Sequence, residues 1–259
     1  MTTLEVPNQG ERPVTYLSPS NFAFLHDECP CCYYNEVHGF KRPRAPFPSI
    51  FNRIDAAMKA HLVTGPIRVE GADQPFSIIS SDKRVASAPQ DYGPAGLRVA
   101  VRGIYDSLVR FEDGTLGIVD EKTAAVKPQL ISQYARQLHS YKRAIEDPAK
   151  GAPLEIGRLG LLVWEPAEFK YDADRGTGYM GGRLAWLDVP VDDVQFDAFL
   201  GGVSRMLALP EPPPPAVKCD YCAYREAGMR DLSALHDMEY DLRPVSDVTG
   251  APGAGLRLG

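Results

Sequence analysis

The chain has 259 residues, of which 44% are hydrophobic, so it is long enough to bury a core of its own. Its net charge of -6 argues against a protein that coats nucleic acid non-specifically, because such binding depends on many lysine and arginine contacts to phosphate. The apolar runs are too short to span a bilayer, and the first residues lack a signal-peptide pattern, which together predict a cytoplasmic protein.

Composition along the chain predicts three parts. We expect an irregular start over residues 1–15, a single domain over 16–235 and a flexible tail over 236–259, which has little apolar surface to bury. Ser18 and Pro19 have the sequence of a helix start, with a hydroxyl cap and proline in the first turn.

A second helix is predicted from apolar residues spaced three or four apart. These residues are Ile50, Phe51, Ile54, Met58 and Leu62. The polar face of this amphipathic helix would carry Asp55 and Lys59.

Two strands are predicted over residues 97–111 and 115–123, joined by a short turn that contains Gly114. The length of the turn decides which residues face each other. A two-residue loop would place Asp106 opposite Glu121, whereas a three-residue loop with Gly114 in the left-handed conformation would place Asp106 opposite Asp120.

The end of the second strand has the residue types of a hydrolytic centre. Side chains alternate along a strand, so Asp120 and Lys122 would lie on one face and Glu121 on the other. With Asp106 across the hairpin, that face would hold two carboxylates and one ammonium group. Carboxylates are the ligands that Mg²⁺ and Mn²⁺ prefer, and such ions and lysine can together support phosphodiester hydrolysis.

The rest of the chain alternates between predicted helices and strands. A helix over 130–145 would end before Pro148, with Gln137 and Tyr141 on one side. Short strands are expected over 160–164 and 185–191, followed by a helix over 194–209 and a stiff proline-rich spacer over 210–215.

The cysteines form two groups with the spacing of metal ligands. Cys29 and Cys32 make one Cys-x-x-Cys knuckle, and Cys219 and Cys222 make another. Four thiolates could hold one tetrahedral centre and would connect the two ends of the domain. Such a centre has no open coordination position, which argues against a hydrolytic zinc site at the cysteines.

Several motifs resemble those of RecB-like PD-(D/E)XK nucleases. The segments 103–106 and 117–123 resemble the Gly-x-x-Asp and Asp-x-Lys-Thr signatures of that family, and 137–141 resembles its Gln-x-x-x-Tyr motif. The segment 18–34 and the knuckle at 219–222 are similar to the family's opening and close. The resemblance therefore extends from about residue 16 to 225.

This resemblance implies an α/β fold with a restriction-endonuclease-like core, in which helices flank a central mixed sheet. Asp106 and Asp120 would hold Mg²⁺ or Mn²⁺, assisted by the backbone carbonyl of Glu121, and Lys122 would be catalytic. Gln137 and Tyr141 would contact the nucleic acid or brace the site. Many relatives carry a metal-binding histidine on the helix before the hairpin, for which Asp55 and His61 are the candidates here.

The cysteine pattern differs from that of the iron–sulfur nucleases in this group, which use one early and three late cysteines. Here the third late cysteine is absent, and Cys32 or Cys31 would complete the set with Cys29, Cys219 and Cys222. The resemblance favours a [4Fe-4S] cluster, with Zn²⁺ as the alternative.

By the same resemblance, the substrate would be DNA, as single strands or ends, and a helicase or another DNA-processing protein is a possible partner. The competing hypothesis is a catalytically silent, metal-stapled module that binds nucleic acid or a partner protein. The complete set of Asp106, Asp120 and Lys122 argues against that alternative, because a silent module has no need of all three charges.

Overall fold

The computed structural model describes residues 12–43 and 48–237. The chain divides into two compact units, residues 1–217 and 218–259, which are considered separately. The predicted single domain over 16–235 stays a prediction. Most of the predicted irregular start and tail lies outside the described residues, and the first strand begins at Val14.

The described part of the first unit contains seven strands and five α-helices. The strands are β1 (Val14–Leu17), β2 (Phe76–Ala86), β3 (Gln90–Asp91), β4 (Arg98–Phe111), β5 (Leu116–Thr123), β6 (Arg158–Asp172) and β7 (Thr177–Val189). The helices are α1 (Pro19–Asn21), α2 (Pro30–Val37), α3 (Ser49–Leu62), α4 (Gln129–Glu146) and α5 (Asp193–Leu207), with a π-helical segment at Phe22–His26.

The strands form one mixed sheet in the order β1-β4-β5-β6-β7, and β2 and β3 also pair with β4. The pairs β1 with β4 and β5 with β6 are parallel, whereas the other pairs are antiparallel. A mixed sheet with flanking helices confirms the predicted fold class.

Most of β5 and the first part of β6, from Leu159 to Val163, are buried on both faces, which explains their apolar sequence. On one face, Ile118 and Leu161 belong to a core that includes the apolar side of α4. On the other face, Val119 and Leu162 pack in a second core with the indole of Trp186. Strand β5 carries Asp120, Glu121 and Lys122, here called the acidic triplet, near its end. This strand is therefore fixed from both sides.

The β4–β5 hairpin has the three-residue loop. The amide of Phe111 donates to the carbonyl of Thr115 at 2.9 Å, and Gly114 has φ +89°. Leu108 pairs with Ile118 in the same ladder, and continuing this register places Asp106 opposite Asp120. The register that brings the two carboxylates together is thus confirmed.

The helices predicted around α3, α4 and α5 are confirmed within one or two residues at each end. The expected hydroxyl cap at Ser18 is wrong, because this hydroxyl lies 3.2 Å from that of Ser20 and makes no capping hydrogen bond. The strand predicted over 160–164 is only part of the longer β6, and the strand predicted over 185–191 overlaps the last five residues of β7, which ends at Val189.

The described part of the second unit contains helix α6 (Asp220–Asp237). Its first turn follows Cys219, whose carbonyl accepts a hydrogen bond from the amide of Ala223 at 3.0 Å. Within the described residues of both units, no helix has the length and apolar character needed to cross a membrane.

Gly160 lies directly beneath Trp186, and a Cβ added there would be 2.1 Å from Cζ2 of the indole. Gly160→Ala is therefore expected to lower the free energy of unfolding by about 1–3 kcal/mol, since a well-packed core accommodates an extra methyl group poorly. Urea unfolding would measure the change. Gly202→Ala is the matched control, because no heavy atom outside its local backbone lies within 4 Å of the added Cβ; an equal loss in both variants would contradict this account.

Candidate active site

The acidic triplet ends β5 where the strand emerges from between the two cores. Asp120 and Lys122 project toward α4, and the Lys122 ammonium forms an ion pair with Oδ2 of Asp120. The same ammonium lies 4.8 Å from the ring centre of Tyr134 and 3.3 Å from the carbonyl oxygen of Glu121. Lys122 is thus held at the end of the strand by a carboxylate, a carbonyl and an aromatic face.

Asp106 lies where regular pairing between β4 and β5 ends. The last paired residues are Ser107 and Val119, and beyond them Oδ2 of Asp106 accepts the backbone N–H of Glu121 at 3.1 Å. The same oxygen is 4.0 Å from Nζ of Lys122. The Asp106 side chain therefore accepts the Glu121 amide where the backbone ladder no longer does, and this hydrogen bond fixes Asp106 beside the acidic triplet.

Helix α4 braces Asp120 from the side of the first core. Gln137 is buried, and its Nε2 donates to Oδ1 of Asp120 at 2.8 Å. Tyr141 lies one turn further on and is also buried. Burial raises the pKa of Tyr141, and the charges of Asp120 and Asp106 raise it further.

The side chain of Glu121 projects to the opposite side of the sheet. It is buried, and its Oε1 accepts a hydrogen bond from the hydroxyl of Ser107 at 2.6 Å. The resemblance had indicated a contribution from the backbone of Glu121, and Glu121 lines the cavity that contains Asp106.

Helix α3 brings a second ammonium group to this side. Nζ of Lys59 is 3.1 Å from Asp55, 2.7 Å from Asp82, 3.5 Å from Asp106 and 3.8 Å from Glu121. Burial lowers the pKa of Lys59, but these carboxylates outweigh it and raise the pKa above its ordinary value.

Two of the carboxylates are poorly compensated. Burial raises the pKa of Asp120 to about 7 against the opposing charge of Lys122, and burial likewise raises the pKa of Glu121 to about 7. Oε2 of Glu121 is buried and has no hydrogen-bond partner among the described residues, whereas the buried Oδ2 of Asp120 faces the Lys122 ammonium. Buried anionic oxygens with unused lone pairs fit a hard divalent cation.

The two candidates for the third metal ligand lie in different places. Asp55 lines the same cavity as Asp106 and Glu121. His61 lines a separate apolar groove with Trp164. The helix therefore presents Asp55, and not His61, to the acidic centre.

The cavity over the acidic centre has a volume of about 500 Å³. Aromatic side chains form part of its wall, namely Phe24, Phe51 and Tyr134. The ring centres of Phe24 and Tyr134 are 5.6 Å apart in an edge-to-face arrangement, and Phe24 is 51% exposed. The acidic centre thus lies in a cavity whose wall has aromatic surface available to a ligand.

Residues 27–227 match the family model of the PD-(D/E)XK nuclease superfamily. The chain belongs to this superfamily. Members of the PD-(D/E)XK nuclease superfamily generally use divalent metal ions and act on DNA. No curated relative matches the sequence.

Two solved structures are similar to this PD-(D/E)XK chain. One is titled "Crystal structure of SSO0001", with 13% identity, a TM-score of 0.45 and coverage of 86% of this chain and 87% of the other. The other is an alkaline exonuclease from Laribacter hongkongensis, with 12% identity, a TM-score of 0.33 and coverage of 86% and 94%.

The cysteines are considered within their own units. In the first unit, Cys29 and Cys32 are buried, and Sγ of Cys29 accepts the backbone N–H of Ala216 at 3.4 Å. In the second unit, Cys219 and Cys222 are buried at the start of α6. Cys31 is also buried, and its Sγ accepts a hydrogen bond from Asn35 at 3.5 Å.

Sequence reasoning missed several polar groups that complete the acidic centre. Asp82 on β2 contacts Lys59, and Ser107 on β4 contacts Glu121. Lys59 was expected only on the polar face of its helix. Hydroxyls, carboxylates and lysines are common on exposed surfaces, so their presence in the sequence gave no signal of these contacts.

Proposed function

We propose that this PD-(D/E)XK chain is a metal-dependent DNA nuclease that hydrolyses phosphodiester bonds, acting on single strands or ends. The observation that carries the proposal is the meeting of Asp106, Asp120 and Lys122 near the end of β5, where Asp106 and Lys122 line an open cavity. These residues carry the resemblance to the family's acidic and lysine motifs.

The residues that would hold Mg²⁺ or Mn²⁺ are Asp106 and Asp120, with the carbonyl of Glu121 and, from α3, Asp55. A bound divalent ion would neutralise charge on the phosphate and lower the pKa of a coordinated water. Asp106, Glu121 and Asp55 line the same cavity, which supports this assignment.

Lys122 is proposed to act as a cation at the scissile phosphate. Burial lowers the pKa of Lys122, but Asp120 and Asp106 outweigh it and hold the pKa above its ordinary value, so the amine keeps its proton. Hydrolysis joins the water oxygen to phosphorus, breaks one P–O bond and leaves a proton on the departing oxygen. A protonated lysine can position the water and stabilise the growing negative charge.

Gln137 and Tyr141 are proposed to brace the site. The hydrogen bond from Gln137 fixes one oxygen of Asp120 and leaves the other directed toward Lys122. Both side chains are buried, which favours bracing over direct contact with DNA.

The dimensions and wall of the cavity support a single-stranded substrate. About 500 Å³ is the size of a small-molecule pocket, which suits a nucleotide better than a duplex. Exposed aromatic rings can stack with bases of any sequence, as in other sites for single-stranded nucleic acid. A helicase or other DNA-processing partner stays a prediction.

Asp120→Asn is expected to reduce Mg²⁺-dependent cleavage of end-labelled DNA by at least about a thousandfold, because it removes a ligand charge while keeping an oxygen that can accept from Gln137. Chelation by EDTA should abolish the wild-type activity. Glu155→Gln is the matched control, since Glu155 is exposed. Equal cleavage by Asp120→Asn and wild type would exclude this catalytic centre; absence of cleavage in wild type, with DNA still bound, would instead support a silent binding module.

Phe24→Ala is expected to raise KM for single-stranded DNA by about fivefold or more with little change in kcat, because stacking contributes roughly 1–3 kcal/mol per base. Steady-state assays on oligonucleotides would measure both constants. Phe40→Ala removes another exposed ring, one that does not line the cavity, and should leave KM unchanged. An unchanged KM for Phe24→Ala would argue against stacking at this position.

We propose further that Cys29, Cys32, Cys219 and Cys222 hold one metal centre, a [4Fe-4S] cluster or Zn²⁺. All four are buried, and two Cys-x-x-Cys knuckles supply the ligands of a tetrahedral site. The N–H of Ala216 directed at Sγ of Cys29 is the kind of hydrogen bond that stabilises a ligating thiolate.

Cys29→Ser and Cys219→Ser are each expected to lose the metal found in wild type, whereas Cys31→Ser should retain it. Elemental analysis and the visible spectrum of anaerobically purified protein would identify iron or zinc, and circular dichroism would check folding. Metal loss in Cys31→Ser alone would transfer the ligand role to Cys31. A metal-free, folded wild-type protein would contradict the proposed centre.

A further inference from the structure

Lys59 occupies a position that a divalent cation would favour. Its ammonium lies within 4 Å of four carboxylates, and only 12% of the side chain is exposed. Two of these carboxylates, Asp106 on β4 and Glu121 on β5, belong to the strands of the proposed active site. The other two, Asp55 and Asp82, lie nearer the surface, with side chains 45% and 59% exposed.

We propose that Lys59 is an internal cation that holds the acidic centre together in the metal-free protein and competes with the divalent ion for Asp106 and Glu121. This inference rests on the proposed metal-dependent function and adds a means by which the chain sets its own metal affinity.

The buried carboxylate of Glu121 supplies the first argument. Its Oε1 is bonded to Ser107, but its Oε2 is buried without a hydrogen-bond partner in the described structure. Nζ of Lys59 lies 3.8 Å from this oxygen, a distance at which it compensates the charge without forming a hydrogen bond. An ion that coordinated this oxygen directly would replace a weak partner with a stronger one.

The placement of α3 supplies the second argument. None of its 14 residues is buried, so the helix and its lysine are held less firmly than the sheet beneath them. Lys59 could leave Asp106 and Glu121 while keeping its 2.7 Å contact with Asp82 at the surface. Its ammonium would then keep an ion-pair partner, which lowers the cost of the exchange.

Lys122 does not share this role. It lies on the other side of the sheet against Asp120 and over the ring of Tyr134, away from the side chain of Glu121. The two lysines therefore contact Asp106 through different oxygens, Lys59 through Oδ1 and Lys122 through Oδ2.

The test is a titration of the protein with Mn²⁺ in the absence of DNA. Electron paramagnetic resonance measures the free ion and so gives the Kd. Lys59→Gln is expected to lower the Kd for Mn²⁺ by about tenfold, within the usual range for coupled sites. Lys59→Arg keeps the positive charge and should bind Mn²⁺ about as wild type does. Lys83→Gln is the matched control, because Lys83 is exposed and its removal changes the net charge equally.

Thermal melts of the same proteins provide the check on folding. Metal-free Lys59→Gln should melt below wild type, and saturating Mn²⁺ should raise its Tm by more than it raises that of wild type. An equal or weaker Mn²⁺ affinity in a folded Lys59→Gln protein would overturn the inference. The same tightening in Lys83→Gln would also overturn it, because the effect would then come from net charge alone.

These outcomes are separate from those that test the nuclease. Wild-type protein that binds Mn²⁺ but cleaves no DNA would refute the proposed function and leave the competition measurable. Normal cleavage with identical Mn²⁺ affinities in wild type and Lys59→Gln would refute only the role of Lys59.

Discussion

Burial of two adjacent carboxylates at the end of an apolar strand is the constraint on which the rest of the site depends. Asp120 and Glu121 continue directly from Ile118 and Val119, which are enclosed on both faces of the sheet. Desolvation favours the neutral form of each acid, so an ionised pair requires partners on both faces. Those partners come from different helices: Gln137 belongs to α4, and Lys59 to α3. The acidic pair thus links the sheet to the helices on its two sides.

Asp106 connects the Asp120 side of the sheet with the Glu121 side, because it lies near both Lys122 and Lys59. Its position depends on the three-residue loop at Gly114, since a loop one residue shorter would shift the register and place Asp106 opposite Glu121. In the observed register, one oxygen of Asp106 lies toward each lysine, and the amide of Glu121 fixes the carboxylate between them. A turn about six residues away therefore determines the geometry of the catalytic candidates.

The mixed α/β class was predicted from the resemblance of the motifs, whereas local pattern was sufficient to predict the hairpin and the three principal helices of the first unit. These features depend on apolar periodicity and on the conformational freedom of one glycine, which are properties of short segments. Strand β2 was not predicted because its many polar residues obscure the alternation of apolar and polar positions. The contact between Lys59 and Asp82 was not predicted because it joins residues 23 positions apart in the sequence. The choice of Asp55 over His61 depended on how α3 lies over the sheet, which the helical period alone cannot give.

The two lysines of the site are not equivalent, and their surroundings explain the difference. Lys122 extends from a strand fixed by two cores, and its ammonium is confined by Asp120, a carbonyl and the ring of Tyr134. A rigid, permanently charged group of this kind can stabilise a transition state without reorganising. Lys59 extends from a helix with no buried residue and has an alternative partner at the surface in Asp82. Rigidity suits the first lysine to the proposed hydrolysis, whereas an alternative surface partner suits the second to the proposed competition with a cation.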